Sequence, residues 1–173
     1  MEERLGKAKN QQGALEKLVG KLPFYKGYKE KELRRETDKL LREDLAAQAK
    51  VQWQRVADLQ RQLVDEGLLV YVDDLQAAES RLRRFMDRIR NASYGYGGVF
   101  DAAKVNEATL DALYEFDMSL VNQISAIAAS LDGVQEAVDA KSGIPGAIRE
   151  AVSVIGVAND ILSDREKILR GTA

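Results

Sequence analysis

Apolar residues return at steps of three or four through most of this chain, and that period admits helices and little else. Leu5, Ala8, Leu15, Val19 and Leu22 follow it, with Gln12 as the polar member. So do Leu45, Ala49, Trp53, Val56, Leu59 and Leu63, with Leu33, Leu40 and Leu41 ahead of them. Leu75, Ala78, Leu82, Phe85, Met86 and Ile89 make a third stripe. Leu110, Leu113, Phe116, Leu120, Ile124, Ile127, Leu131, Val134 and Val138 make a fourth. Ile148, Val152, Ile155, Ala158, Leu162 and Leu169 make the last. Such narrow stripes must be buried against one another, so helix packs on helix.

The breaks between stripes mark five helices. Pro23 and Pro145 are the only prolines, and both fall between stripes, where they cost nothing. The first helix runs from about Glu3 to Lys21 and is weakened by Gly6, Gly13 and Gly20, each by up to ~1 kcal/mol. The second runs from about Lys29 to Glu66, and Gly67 is its natural left-handed stop. Leu68-Leu69-Val70-Tyr71-Val72 could be a strand by composition, but it has no second strand to pair with. It reads as a buried connector, with Asp73 capping a third helix that reaches about Asn91. The fourth helix starts near Asn106 and runs to about Ala140, and the last follows Pro145 to about Arg170.

The expectation is a soluble, all-α, elongated antiparallel bundle of about five helices, two of them long, with coiled-coil-like packing. A single domain over 1–173 accounts for the length, with residues 1–22 as a semi-independent helical arm. Between Met118 and Leu131 there is no charged residue, so that stretch should be surrounded on most sides by helices or a second subunit.

Composition excludes more chemistry than it suggests. The chain is 45% hydrophobic and 31% charged, too apolar to stay disordered. It contains no cysteine, hence no disulfide, thiolate nucleophile or cysteine zinc site, which fits a cytoplasmic location. It contains no histidine either, which removes the Ser-His-Asp triad, the HExxH helix and the di-iron bundle motif. No enzyme, cofactor or metal is expected. The charged start Met1-Glu2-Glu3-Arg4 reads as no signal peptide, and no run is long and apolar enough to span a bilayer.

Charge is unevenly spread: residues 1–50 carry a net +4 and residues 101–173 a net −6. The two ends could attract one another within a chain or between chains. This layout, with the long helices, resembles that of the bacterial membrane-stress and membrane-remodelling coiled-coil proteins. The resemblance covers charge layout and helicity only, and it implies a peripheral membrane role through the first helix, where Lys7, Lys9, Lys17 and Lys21 flank the apolar stripe.

Few residues suggest a site. Tyr94, Gly95, Tyr96, Gly97 and Gly98 form a glycine-tyrosine loop before a helix, a possible contact or ligand loop. The spacing is not that of a phosphate loop, and a left-handed interhelical turn explains the glycines equally. The arginines of the third helix are diluted by Glu79 and Asp87, and the pI is about 5.4, so nucleic acid is not the expected partner. Asp73-Asp74 and the Asp111–Glu115 pair lack the ligand-rich loop a cation needs and read as caps and surface charge. Leu5, Leu15, Val19, Leu22, Trp53 and Met118 are the candidate interface residues. The leading expectation is a non-enzymatic helical scaffold or protein-interaction module that self-associates. The alternatives are an anionic-membrane-binding protein and a bundle that holds a small ligand near Tyr94–Phe100.

Overall fold

Four helices supply one another with partners for their apolar stripes. A computed structural model describes residues 31–91 and 107–170. Helix α1 spans Lys31–Asp65, α2 Val72–Asn91, α3 Glu107–Asp139 and α4 Ile144–Arg170. One 3-10 turn, Leu69–Tyr71, stands between α1 and α2, and no strand occurs among the described residues. The expected first helix and the glycine-tyrosine loop lie outside the described residues. The chain divides into two units, Met1–Arg42 and Glu43–Ala173, with α1 beginning in the first and ending in the second.

Within the second unit the buried positions keep the alternating period. In α1 they are Leu45, Ala49, Gln52, Val56, Leu59 and Leu63, with Ala46 beside the stripe, and in α2 Leu75, Ala78, Leu82, Phe85 and Ile89, with Met86 beside it. In α3 they are Asp117, Leu120, Ile124, Ile127, Leu131, Val134 and Val138, with Val121 beside the stripe. In α4 they are Ile144, Ile148, Ala151, Ile155, Ala158, Leu162 and Arg165. Each fully buried Leu, Ile or Phe contributes ~1.5–3 kcal/mol, so these stripes supply most of what holds the helices together.

Side-chain bonds between helices give their directions. Trp53 and Gln60 of α1 reach Glu79 and Gln76 of α2, so these two run antiparallel. Gln123 and Asp117 of α3 reach Val154 and Arg165 of α4, again antiparallel. Between the hairpins the sense is reversed. Arg55 of α1 bonds Asp132 of α3, and Gln62 bonds Asp139, so α1 and α3 run parallel. Arg81 and Arg88 of α2 donate to the carbonyls of Val152 and Asn159 of α4, so α2 and α4 are parallel as well. Helices consecutive within each hairpin are therefore antiparallel, and the two hairpins lie side by side with parallel contacts between them.

Both hairpins close with the same capping geometry. At the end of α1 the Leu68 N–H donates to Leu63 O and the Gly67 N–H to Val64 O, with Gly67 left-handed at φ 73°. At the end of α3 the Ser142 N–H donates to Ala137 O and the Lys141 N–H to Val138 O. Here the left-handed residue is Lys141, at φ 49°, which no sequence signal marks. Both are Schellman caps, which satisfy the carbonyls a helix end leaves open.

Several expectations need correcting. Leu40 is 54% exposed, and Leu41 beside it takes the inward position. Phe116 is half-buried, and the stripe continues through Asp117 instead. Val152 is half-buried, with Ala151 taking the inward place on α4. Helix α2 starts at Val72, so Asp73 and Asp74 lie in its first turn, where carboxylates suit the helix dipole. In the uncharged stretch of α3, Leu120, Val121, Ile124, Ile127 and Leu131 are buried, and Ser119, Asn122, Ala126 and Ala129 form an exposed edge within the single chain.

Two glycines should respond in opposite directions. A methyl group on Gly133, inside α3, meets nothing within 4 Å, so Gly133→Ala should raise stability by up to ~1 kcal/mol. Gly67 also has open space but is left-handed, so Gly67→Ala should lower stability by about 1–2 kcal/mol. Urea denaturation of both variants measures this, and equal shifts of the same sign would contradict it.

Candidate interaction surface

The α1–α2 turn ends where the helix caps have used all they need. A Schellman cap wants one apolar residue just past the glycine, and Leu68 fills that place. The chain then adds Leu69, Val70, Tyr71 and Val72. Leu69 is 61% exposed and Val70 73%, while Leu68, Tyr71 and Val72 are half-buried. Val64, on the last turn of α1, is 50% exposed. The expected buried connector is thus an apolar projection, since no described element covers its outer side.

Around this tip the charge is one-sided. Residues 64–74 and 139–146 contain Asp65, Glu66, Asp73, Asp74 and Asp139 against a single base, Lys141. All but Glu66 are exposed. The two turns are tied together here: Lys141 Nζ lies 3.3 Å from Glu66 Oε2, and Gln62 donates to both Glu66 and Asp139. Gln135 donates to Gln62 at 2.7 Å, extending the network into α3. The Gln62 hydrogen bond, then Lys141, holds the Glu66 carboxyl below its ordinary pKa.

The candidate interface residues fall elsewhere. Trp53 is half-buried between α1 and α2, its indole Nε1 donating to Glu79 Oε1 at 2.9 Å. Met118 is half-buried on α3. The structure brings neither to the tip, nor to the other. Leu5, Leu15, Val19, Leu22, Tyr94, Gly95, Tyr96, Gly97 and Gly98 lie outside the described residues.

Polar groups that sequence reasoning missed sit in the core itself. Arg165 Nε donates to Asp117 Oδ1 at 2.8 Å, and the two side chains are only 4% and 6% exposed. The signal was available: Asp117 precedes Leu120 by three and Arg165 follows Leu162 by three, so both continue an apolar stripe. The arginines of α2 split into two kinds. Arg81 and Arg88 cross to α4, where Arg88 also meets Ser163 and Glu166, whereas Arg83 and Arg84 face solvent. Arg81 crosses directly over Gly156, where any side chain would meet its guanidinium at 3.0 Å.

Comparison with protein-family models, with curated proteins and with solved structures found no match to this chain. Among the described residues no cluster of three or more metal-ligating side chains occurs, and no helix is long and apolar enough to cross a membrane.

Two electrostatic contacts lend themselves to measurement. Asp117→Ala leaves the Arg165 guanidinium in the core without this carboxylate and should cost about 3–5 kcal/mol. The double change Asp117→Leu with Arg165→Met should cost far less, and equal losses in thermal unfolding would contradict this account. Glu66 has a lowered folded-state pKa, so its contribution is present above its unfolded value and fades as pH falls through the folded one. Glu66→Gln should therefore flatten the acid limb of the stability profile while leaving the neutral-to-alkaline slope unchanged.

Proposed function

We propose that this chain is a non-enzymatic helical interaction module that self-associates, and that the apolar tip at Leu68–Val72 is its contact surface. The observation that carries the reading is the exposure of Leu69 and Val70 on a turn fixed at both ends by helices. A turn needs polar or glycine residues, and an exposed apolar run there is unfavourable unless a partner covers it. The acidic residues around it discourage indiscriminate sticking while leaving the apolar centre open.

The absence of histidine and cysteine from the sequence supports a non-enzymatic role and a cytoplasmic location. The alternating three-and-four spacing of the buried residues supports heptad packing, with residues 3–21 as a fifth helix. An acidic tip is a poor match for an anionic bilayer, so this surface suits a protein contact, whereas the membrane alternative rests on the basic first helix.

Light scattering on size-exclusion fractions is the test. The mass of the full chain should rise with concentration, and a Leu69→Glu, Val70→Glu variant should stay monomeric with an unchanged melting temperature. A wild-type protein that remains monomeric at every concentration would refute the reading.

A further inference from the structure

We infer that the acidic, apolar tip receives the basic amphipathic N-terminal segment of a second copy of this chain, so that association runs head to tail. This rests on the reading of the tip as the contact surface and adds the identity of its occupant.

Complementarity of charge and apolar pattern supports it. Five carboxylates and one lysine frame the tip. Between residues 4 and 26 the order is reversed: six bases, Arg4, Lys7, Lys9, Lys17, Lys21 and Lys26, stand against the single acid Glu16. The same segment carries Leu15, Val19 and Leu22 at steps of four and three, an apolar edge with Lys17 and Lys21 interleaved. Exposed apolar residues in an acidic frame match an apolar edge set in bases, through burial at the centre and attraction at the rim. No other stretch of this length is so one-sidedly basic: residues 27–50 mix both signs, and residues 101–173 are acidic.

The tip does not complement itself. Two tips meeting face to face would bring ten carboxylates together against two lysines, and like charges opposed across an interface cost affinity. Tip and segment are different surfaces, so their contact is heterologous. Every pair so formed keeps one tip and one segment for the next chain.

Complementation between two full-length variants tests this. The tip variant carries Leu69→Glu and Val70→Glu, both at exposed positions. The segment variant carries Leu15→Asp and Val19→Asp, with Lys17→Glu, Lys21→Glu as a second version that removes charge and leaves the apolar residues. Circular dichroism checks that each retains its helix. Alone, each variant should associate at least about tenfold more weakly than the wild type. Mixed one to one, they should form a two-chain species that does not grow, because each supplies the half the other lacks. Raising the salt to about 0.5 M should weaken that pair, as expected for charges near the surface.

A mixture that stays monomeric overturns the inference. So does a segment variant that associates like the wild type, although the tip would then remain the contact surface through another occupant. A tip variant that associates like the wild type removes both. A wild-type chain that stays monomeric but sediments with anionic vesicles, in a manner lost in the segment variant, assigns that segment to a membrane and overturns head-to-tail docking.

Discussion

Helix α4 is the element on which the other contacts depend. It packs α3 along one side, through Ile148, Ala151, Ile155, Ala158 and Leu162, and it receives α2 along another. Its small residues make this possible. Gly156 lets the Arg81 guanidinium cross the helix surface to the carbonyl of Val152, and Asn159 answers by donating to Arg81 O. A larger residue at 156 would displace the Arg81 guanidinium from the Val152 carbonyl. Helix α1 then completes the bundle from the far side, held to α3 by Arg55 and to α2 by Trp53.

Parallel neighbours explain where the polar residues had to go. In each antiparallel hairpin a short turn sets the register, and side-chain bonds such as Trp53–Glu79 and Gln123–Val154 add to it. Across the hairpins no turn fixes how far α2 slides along α4 or α1 along α3, and uniform apolar stripes would permit slippage by a heptad. Directional bonds sit at those two boundaries: Arg81 and Arg88 on backbone carbonyls of α4, and Arg55 and Gln62 on α3. The Asp117–Arg165 pair does the same deep within the α3–α4 hairpin, at the end remote from its turn. Desolvating two charges makes such a pair a weak source of net stability, and its value lies in what it forbids. A slide by one heptad would bury each charge against an aliphatic side chain.

The helices were legible because periodicity is a local property. Glycine at 67, the end of α2 near Asn91, the turn at 140–143, and the inward places of Leu75, Ile124 and Ile155 all follow from spacing. Which of two adjacent residues faces inward was less so, since Leu40 or Leu41 and Phe116 or Asp117 lie 100° apart on a helix and the neighbour decides. Hydrophobicity favoured Phe116, and the available counter-ion on α4 favoured Asp117. Hairpin arrangement was not legible at all, because parallel and antiparallel neighbours bury identical stripes. The tip was misread for a related reason. An apolar run signals burial only when some element lies over it, and that element's position is a property of the whole fold.

The tip therefore carries information the fold does not require. Leu68 suffices to complete the cap after Gly67, and α2 can start without Leu69 or Val70 being apolar. Folding alone would favour polar residues at those two places, where side chains meet water on most sides. The α3–α4 turn, built on the same capping pattern and lying beside it, shows the alternative: Ala140, Lys141, Ser142 and Gly143 are exposed and mostly polar or small. The two turns share the capping pattern but differ after it: the first passes through the 3-10 turn Leu69–Tyr71, while the second turns again at left-handed Gly143 into α4. The Glu66–Lys141 pair locks them together, so whatever meets the apolar turn also meets the acidic groups around it. On the proposal that this end is the contact surface, its occupant must offer both an apolar edge and positive charge beside it, and a purely greasy or purely basic surface satisfies only half of that.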